Sequence, residues 1–163
     1  MQYHKSVLLK ESVDALEVSN GGVFVDVTYG GGGHSREILR RAEGCSLYSF
    51  DQDEDAIENE LNDDRLTLIH SNFSELENSL KLYRIIEVDG VLADLGVSSH
   101  QFDAEQRGFS IRFDGPLDMR MGKGFEKTAA DIINEYSWEE LAEMLRSYSD
   151  LKGAGRIARR IKD

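Results

Sequence analysis

Val23-Phe-Val-Asp-Val27, followed by Thr28-Tyr-Gly-Gly-Gly-Gly-His-Ser35, is the stretch whose reading decides the fold. The first five residues are mostly β-branched or aromatic and read as a short buried strand. The four glycines leave no Cβ between the backbone and an approaching ligand. Ser35 to Ala42 then reads as a helix with Ile38 and Leu39 inward. The rhythm continues outward. Ser46-Leu-Tyr-Ser-Phe50 is a second strand ending at Asp51, Glu54 to Leu61 a helix, and Leu66-Thr-Leu-Ile69 a third strand. Phe73, Leu76, Leu80 and Tyr83 stripe another helix, and Val88-Asp-Gly-Val-Leu-Ala93 is a fourth strand ending at Asp94. Upstream, Val7 to Leu16 reads as a helix that Asn20-Gly21-Gly22 stops. Strands alternating with helices predict an α/β, Rossmann-like core with a partial parallel sheet of about four strands and right-handed crossovers.

The pattern changes after residue 94. Residues 95–127 show little periodicity and many loop formers, among them Gly96, Gly108, Gly115-Pro116, Gly122 and Gly124. A loop this long inside a domain is usually functional. Three helical stretches follow. One starts at Thr128 with Asp131, one at Ser137 with Glu140 in a capping-box pattern, and one spans Ala154 to Ile161. The domain reading is therefore a core over 1–101, a connecting loop over 102–127 and a helical segment over 128–163.

Composition bounds the function. The chain has 163 residues, 31 acidic against 19 Lys and Arg, a net charge of −12, 40% hydrophobic and 31% charged. That is ordinary globular composition, so disordered and collagen-like classes are excluded. No run approaches a membrane span, and Met1-Gln-Tyr-His-Lys-Ser carries no secretory pattern. The single Cys45 cannot form an internal disulfide and suits a reducing cytoplasm. The acidic balance argues against gripping nucleic acid by overall charge. Residues 151–163 are the exception, with a net of +4 from Lys152, Arg156, Arg159, Arg160 and Lys162 against Asp163. They read either as a solvated helix end complementing the dipole or as an RNA-facing patch.

In open parallel sheets ligands bind beyond the carboxyl ends of the strands. The glycine turn lacks the Gly-Lys-Ser/Thr of a phosphate loop, and Ser35 stands where a dinucleotide fingerprint needs its third glycine. A ligand that brings a ribose or carboxylate to the turn fits better. Asp51, 19 residues after Gly32, is placed to accept both hydroxyls of an adenosine ribose; a surface acid in the cluster Asp51, Asp53, Glu54 and Asp55 is the alternative. Phe73 either flanks an adenine ring or packs in the core. Asp94-Leu-Gly-Val-Ser-Ser-His-Gln101 puts a carboxylate, hydroxyls and an amide beyond strand four, for a proton acceptor or for helix capping. Methyl transfer from a sulfonium is an in-line displacement in which positioning matters most. If the acceptor is an exocyclic amine, Asp94 or a neighbouring carbonyl can take its N–H. Arg107, Arg112, Arg120 and Lys123 either meet RNA phosphates or pair with Asp103, Glu105, Asp114 and Asp118. His4, His70 and His100 lack metal-ligand spacing, and no metal is expected. A nicotinamide-dependent dehydrogenase shares the turn and the ribose carboxylate but leaves Asp94 and the segment Arg107 to Met121 without a role.

Read together, His4-x-Ser-Val-Leu-Leu-x-Glu11, Val25 to Ser35, Asp94 to Gln101, Arg107-Gly-Phe-Ser110, Asp114-Gly-Pro-Leu-Asp-Met-Arg-Met121 and Arg156-Ile-Ala-Arg159 resemble the bacterial ribosomal RNA small subunit methyltransferase H family. The resemblance implies S-adenosylmethionine-dependent N4-methylation of a cytidine in 16S rRNA of the small subunit. It implies cofactor positions at Gly32, Gly33, His34, Asp51, Phe73, Asp94 and Gln101, with Asp94 the candidate catalytic group. Candidate RNA contacts are Arg107, Arg112, Arg120, Arg156, Arg159 and Arg160. It also implies that the chain after about residue 102 leads into a small helical insert. Two departures stand out. Many amine methyltransferases carry Asn/Asp-Pro-Pro-aromatic after strand four, where this chain has Asp94-Leu-Gly-Val. Family members are also about twice this long, so a fragment or truncated chain is expected, one that exposes a sheet edge prone to self-association; the alternative to catalysis is a fragment that binds cofactor or partner only.

Overall fold

Central strand β1 (Gly22–Asp26) is flanked by β2 (Cys45–Asp51) on one side and β4 (Gly90–Leu92) on the other, with β3 (Leu66–His70) outside β2. This computed structural model describes residues 6–18, 21–122 and 124–163; His4, Asn20 and Lys123, singled out above, lie outside the described residues. All pairings are parallel, and Asp26 stands level with Ser49 of β2 and Leu92 of β4. The order β3-β2-β1-β4 reverses direction at the β1/β4 pair, where open α/β sheets place their ligand crevice.

The chain forms two compact units, residues 1–99 and 100–163. In the first, side chains alternate across the sheet as the two-residue period requires. Phe24, Leu47, Leu66 and Leu92 share a cluster with Val13 of α1 (Leu9–Ala15) and Ile38 and Leu39 of α2 (Gly33–Arg41). Val25 and Phe50 pack the other face with Leu76 and Leu80 of α4 (Leu76–Leu82). β4 is an edge among the described residues, and Val91 on it is 47% exposed.

The four-strand α/β reading holds, and its departures have local causes. The helix expected over Glu54–Leu61 ends as α3 (Glu54–Ile57). The Tyr29 hydroxyl donates to the Asn59 carbonyl (2.9 Å) and accepts from the Leu61 N–H (3.0 Å), diverting those residues from the helical ladder. β4 is shorter than Val88–Ala93 because the Asp89 carboxylate, not a neighbouring backbone group, takes the Val23 N–H (2.7 Å). Phe73–Glu75 is a 3-10 turn ahead of α4, started by Asn72 accepting from the Ser74 N–H (2.8 Å).

In the second unit, the stretch expected to be loop carries α5 (Ser99–Asp103), which begins at the unit boundary, and a 3-10 turn (Glu105–Arg107). Both are single turns, too short to register as periodicity. Met119 N–H donates to the Arg107 carbonyl (2.9 Å), and Ala129 and Ala130 donate to the carbonyls of Asp118 and Leu117 (2.7 and 2.9 Å). Capping boxes open α6 (Ala129–Glu135) from Thr128 and α7 (Trp138–Tyr148) from Ser137. α8 (Ala154–Lys162) buries Ala158 against Leu141 and Ala142 of α7, with Trp138 and Ile132 at the margin.

Candidate functional site

The turn after β1 is stitched to both neighbouring strands. The Val27 N–H donates to the Leu92 carbonyl and the Tyr29 N–H to the Phe50 carbonyl, both at 2.9 Å. Gly30 N–H then donates to Asp51 Oδ2 at 2.7 Å, while Asp53 N–H donates to Asp51 Oδ1 at 2.9 Å. Asp51 is thus no loose member of an acidic surface cluster. Each of its oxygens holds one backbone donor and keeps a second lone-pair direction. Burial is the main cause lifting its carboxyl above the ordinary range, and the hydrogen bonds from Asp53 and Gly30 oppose that.

Gly32 has φ +71°, and a Cβ there would sit 2.8 Å from the Tyr29 hydroxyl. The turn is accordingly a cradle that only glycine fits. It delivers the chain into α2, where His34 is 4% exposed. His34 Nε2 lies 3.2 Å from the Val7 carbonyl, which can only accept, so Nε2 carries the proton. Nδ1 is turned toward Asp94, 3.9 Å from Oδ2.

A second polar set sits beneath the turn, and sequence reading missed it. Asp26 is fully buried. Its Oδ2 accepts from Ser35 Oγ (2.7 Å), which also meets Ser49 Oγ (2.9 Å). Its Oδ1 accepts from the Thr28 N–H (3.1 Å) and the Thr28 hydroxyl (3.3 Å). Thr28 Oγ1 in turn accepts from the Asp94 N–H at 2.8 Å. Burial raises the Asp26 carboxyl, against the lowering effect of Ser35 and Thr28. The available signal was a lone acid inside the strand run Val-Phe-Val-Asp-Val, since a charged residue is rarely buried without partners.

The structure therefore brings Gly30–Gly33, His34, Asp51 and Asp94 together at the carboxyl ends of β1, β2 and β4. Phe73 follows β3, is 46% exposed and is not among the buried core residues of its unit. Asn72 beside it donates to Gln52 Oε1 (2.5 Å). Gln101 lies on α5, in the other unit, and is buried. The arginines of the long loop have partners of their own. Arg112 pairs with Asp103 and Arg120 with Asp118, both at 2.7 Å, and Arg107 donates to the Arg120 carbonyl (3.0 Å). Among the described residues no group of His, Cys, Asp and Glu could hold a metal ion, and no helix is long and apolar enough to cross a membrane.

A glycine turn alone is common to several nucleotide-binding folds; comparison with known proteins narrows the choice. A profile of the MraW methylase family matches residues 1–163. The chain belongs to the MraW methylase family. Among relatives, it is 56% identical over 162 residues to the ribosomal RNA small subunit methyltransferase H of Christiangramia forsetii, covering 99% of this chain and 54% of that one. It is 57% identical over 157 residues to the enzyme of the same name from Bacteroides fragilis, covering 96% and 52%. With that of Flavobacterium johnsoniae the identity is 51% over 162 residues, covering 99% and 54%. The chain spans about half the length of the curated relatives it matches. The turn, Asp51 and Asp94 lie beyond the carboxyl ends of the strands, where open α/β sheets bind their ligands.

Proposed function

We propose that this chain provides the S-adenosylmethionine-binding part of a methyltransferase acting on the N4 amine of a cytidine in 16S rRNA of the small ribosomal subunit. The observation that supports it most directly is the hydrogen-bonded set Gly30–Asp51 and Thr28–Asp94, which ties three strand ends into one site. The names of its relatives support a ribosomal RNA substrate, and with that substrate we take the protein to act in the cytoplasm. In this reading residues 1–101 form the cofactor core, 102–127 the active-site loop and 128–163 the start of a helical substrate-recognition insert.

The residues fit an adenosine-bearing donor. Asp51 has one acceptor direction open on each oxygen for the two ribose hydroxyls. Gly32 and Gly33 let the ligand tail approach the backbone, and Phe73, exposed beyond β3, flanks the base. His34, at the start of α2, completes the cofactor contacts of this unit. When bound, S-adenosylmethionine supplies a methyl group activated by its sulfonium. Asp94, with half its side chain exposed, accepts the hydrogen bond of the acceptor amine. That hydrogen bond would localise the nitrogen lone pair for in-line attack, and Asp94 would take up the amine proton as the N–C bond forms and the methyl leaves its sulfur; the neighbouring backbone carbonyl is the other hydrogen-bond acceptor available.

Calorimetry with S-adenosylhomocysteine and with NAD tests the cofactor. Binding of the former supports the reading, and binding of NAD alone would replace it with a dehydrogenase. Methyl transfer to 30S subunits by this chain, beside a full-length relative, distinguishes an active enzyme from a part that only binds cofactor or partner.

A further inference from the structure

The cations of the second unit divide sharply by what they touch. Arg112, Arg120, Lys127 and Arg146 each pair with a carboxylate. Arg107 donates to backbone carbonyls. Arg159 lies over the Trp138 ring, 3.9 Å from its centroid, and Lys162 caps α6 through the carbonyls of Ile133 (2.9 Å) and Asn134 (3.1 Å). Among the described residues this leaves Lys152, Arg156 and Arg160, all exposed and engaged by no carboxylate, carbonyl or ring. They recur every fourth position and fall within nine residues of one another in the sequence.

Helix stability does not account for them. Arg160 in the last turn complements the dipole, but Arg156 is the third residue of α8 and Lys152 precedes its cap, at the end where a cation is disfavoured. Neither has an acid to offset that cost. The side of α8 bearing Ala154 and Ala158 is buried and Ile161 is its one large apolar residue left exposed, at 42%, too little apolar surface to sink into a lipid layer. What remains is a row of exposed, undirected cations on a chain that is otherwise strongly acidic. Arg156 and Arg160 are one helical turn apart, a rise of about 6 Å, comparable with the separation of neighbouring phosphates along an extended strand.

We infer that Lys152, Arg156 and Arg160 form an RNA backbone-binding row, and that Arg107, Arg112 and Arg120 shape the loop instead of touching RNA. This rests on the methyltransferase reading for the identity of the polyanion. Arg159 belongs with the structural group through its stacking on Trp138.

The test is fluorescence anisotropy of the 163-residue chain with a labelled single-stranded RNA oligonucleotide of mixed sequence, over a series of KCl concentrations. Arg156→Ala with Arg160→Ala is expected to weaken binding at least tenfold at low salt. It should also reduce the slope of log K against log salt by about 1.4, since each phosphate contact to a single strand contributes ~0.7. Arg112→Ala with Arg146→Ala, which removes equal charge from internally paired sites, is expected to leave the slope unchanged. Arg156→Glu tests folding separately: an acid suits that helix end, so thermal stability should hold while RNA affinity falls. An unchanged slope in the α8 variant, an equal loss in the control, no binding of RNA by the parent chain, or residue-dependent binding to anionic phosphatidylserine vesicles in place of RNA would each overturn the inference. Calorimetry with S-adenosylhomocysteine on the same variants should be unaffected. Failure of that ligand to bind any of them would count against the cofactor reading and leave the salt slopes as they are.

Discussion

Asp51→Ala is the most informative single change in the cofactor site. The carboxylate holds Gly30 N–H at 2.7 Å and Asp53 N–H at 2.9 Å and keeps one acceptor direction on each oxygen. A hydrogen bond to a charged group contributes ~1.5–3 kcal/mol. Two ribose hydroxyls would set the upper limit, but Asp51 is only half-buried and water competes, so the expected loss in S-adenosylhomocysteine binding is about 1–3 kcal/mol. That corresponds to roughly a 5- to 150-fold rise in Kd. Leaving two backbone donors without their acceptor also lowers fold stability by about 1–2 kcal/mol, which urea unfolding will register. Asp51→Asn separates the two effects: its Oδ1 can keep the Gly30 N–H, while the charge and half of the acceptor capacity are gone. Calorimetry on both variants is the assay. If Kd is unchanged in a folded Asp51→Ala protein, the ribose assignment is wrong. Because burial raises the Asp51 carboxyl, affinity in the parent chain should begin to fall at a higher pH than an ordinary carboxylate would give.

Asp26→Asn should fold, because the amide can take the Thr28 N–H and donate to Ser35. The native carboxyl is raised above its ordinary 3.8, so the folded state holds its proton more tightly than the unfolded chain. Its contribution is present at low pH and is lost as pH rises through the raised value. Urea titrations at pH 4 and pH 7 should therefore show the Asn variant gaining on the parent chain as pH rises. Tyr29→Phe leaves the Asn59 carbonyl and Leu61 N–H unpaired and should cost about 1–3 kcal/mol, read by the same titration. Gly32→Ala forces a left-handed backbone, ~1–2 kcal/mol by itself, and drives a methyl toward the Tyr29 hydroxyl. Calorimetry should show weaker S-adenosylhomocysteine binding, and an unperturbed variant would mean the turn is less crowded than the 2.8 Å approach implies.

What the sequence disclosed was whatever local chemistry determines. β1 with its glycine turn, the end of β2 at Asp51, and the capping boxes at Thr128 and Ser137 are each set by residues within a few positions of one another. What it concealed was set by partners far along the chain. The α3 helix stops early because Tyr29, about thirty positions upstream, claims the backbone of Asn59 and Leu61. The polar set around Asp26 draws on Thr28, Ser35, Ser49 and, through Thr28, Asp94, a grouping without periodicity. The arginines at 112 and 120 looked like those at 156 and 160 until their carboxylate neighbours were placed.

The register of the sheet acts as a ruler for whatever rests on it. Asp26, Ser49 and Leu92 stand in one row; Asp51 lies two residues above it on β2, about 6.6 Å at the usual rise per residue, and Asp94 follows two residues after the end of β4. Two acidic posts stand on either side of the glycine-paved turn. Deleting a single residue from β2 ahead of Asp51 would drop that post by ~3.3 Å and turn it to the opposite face, so an occupant measured to that gap would lose its seat even with both carboxylates still present.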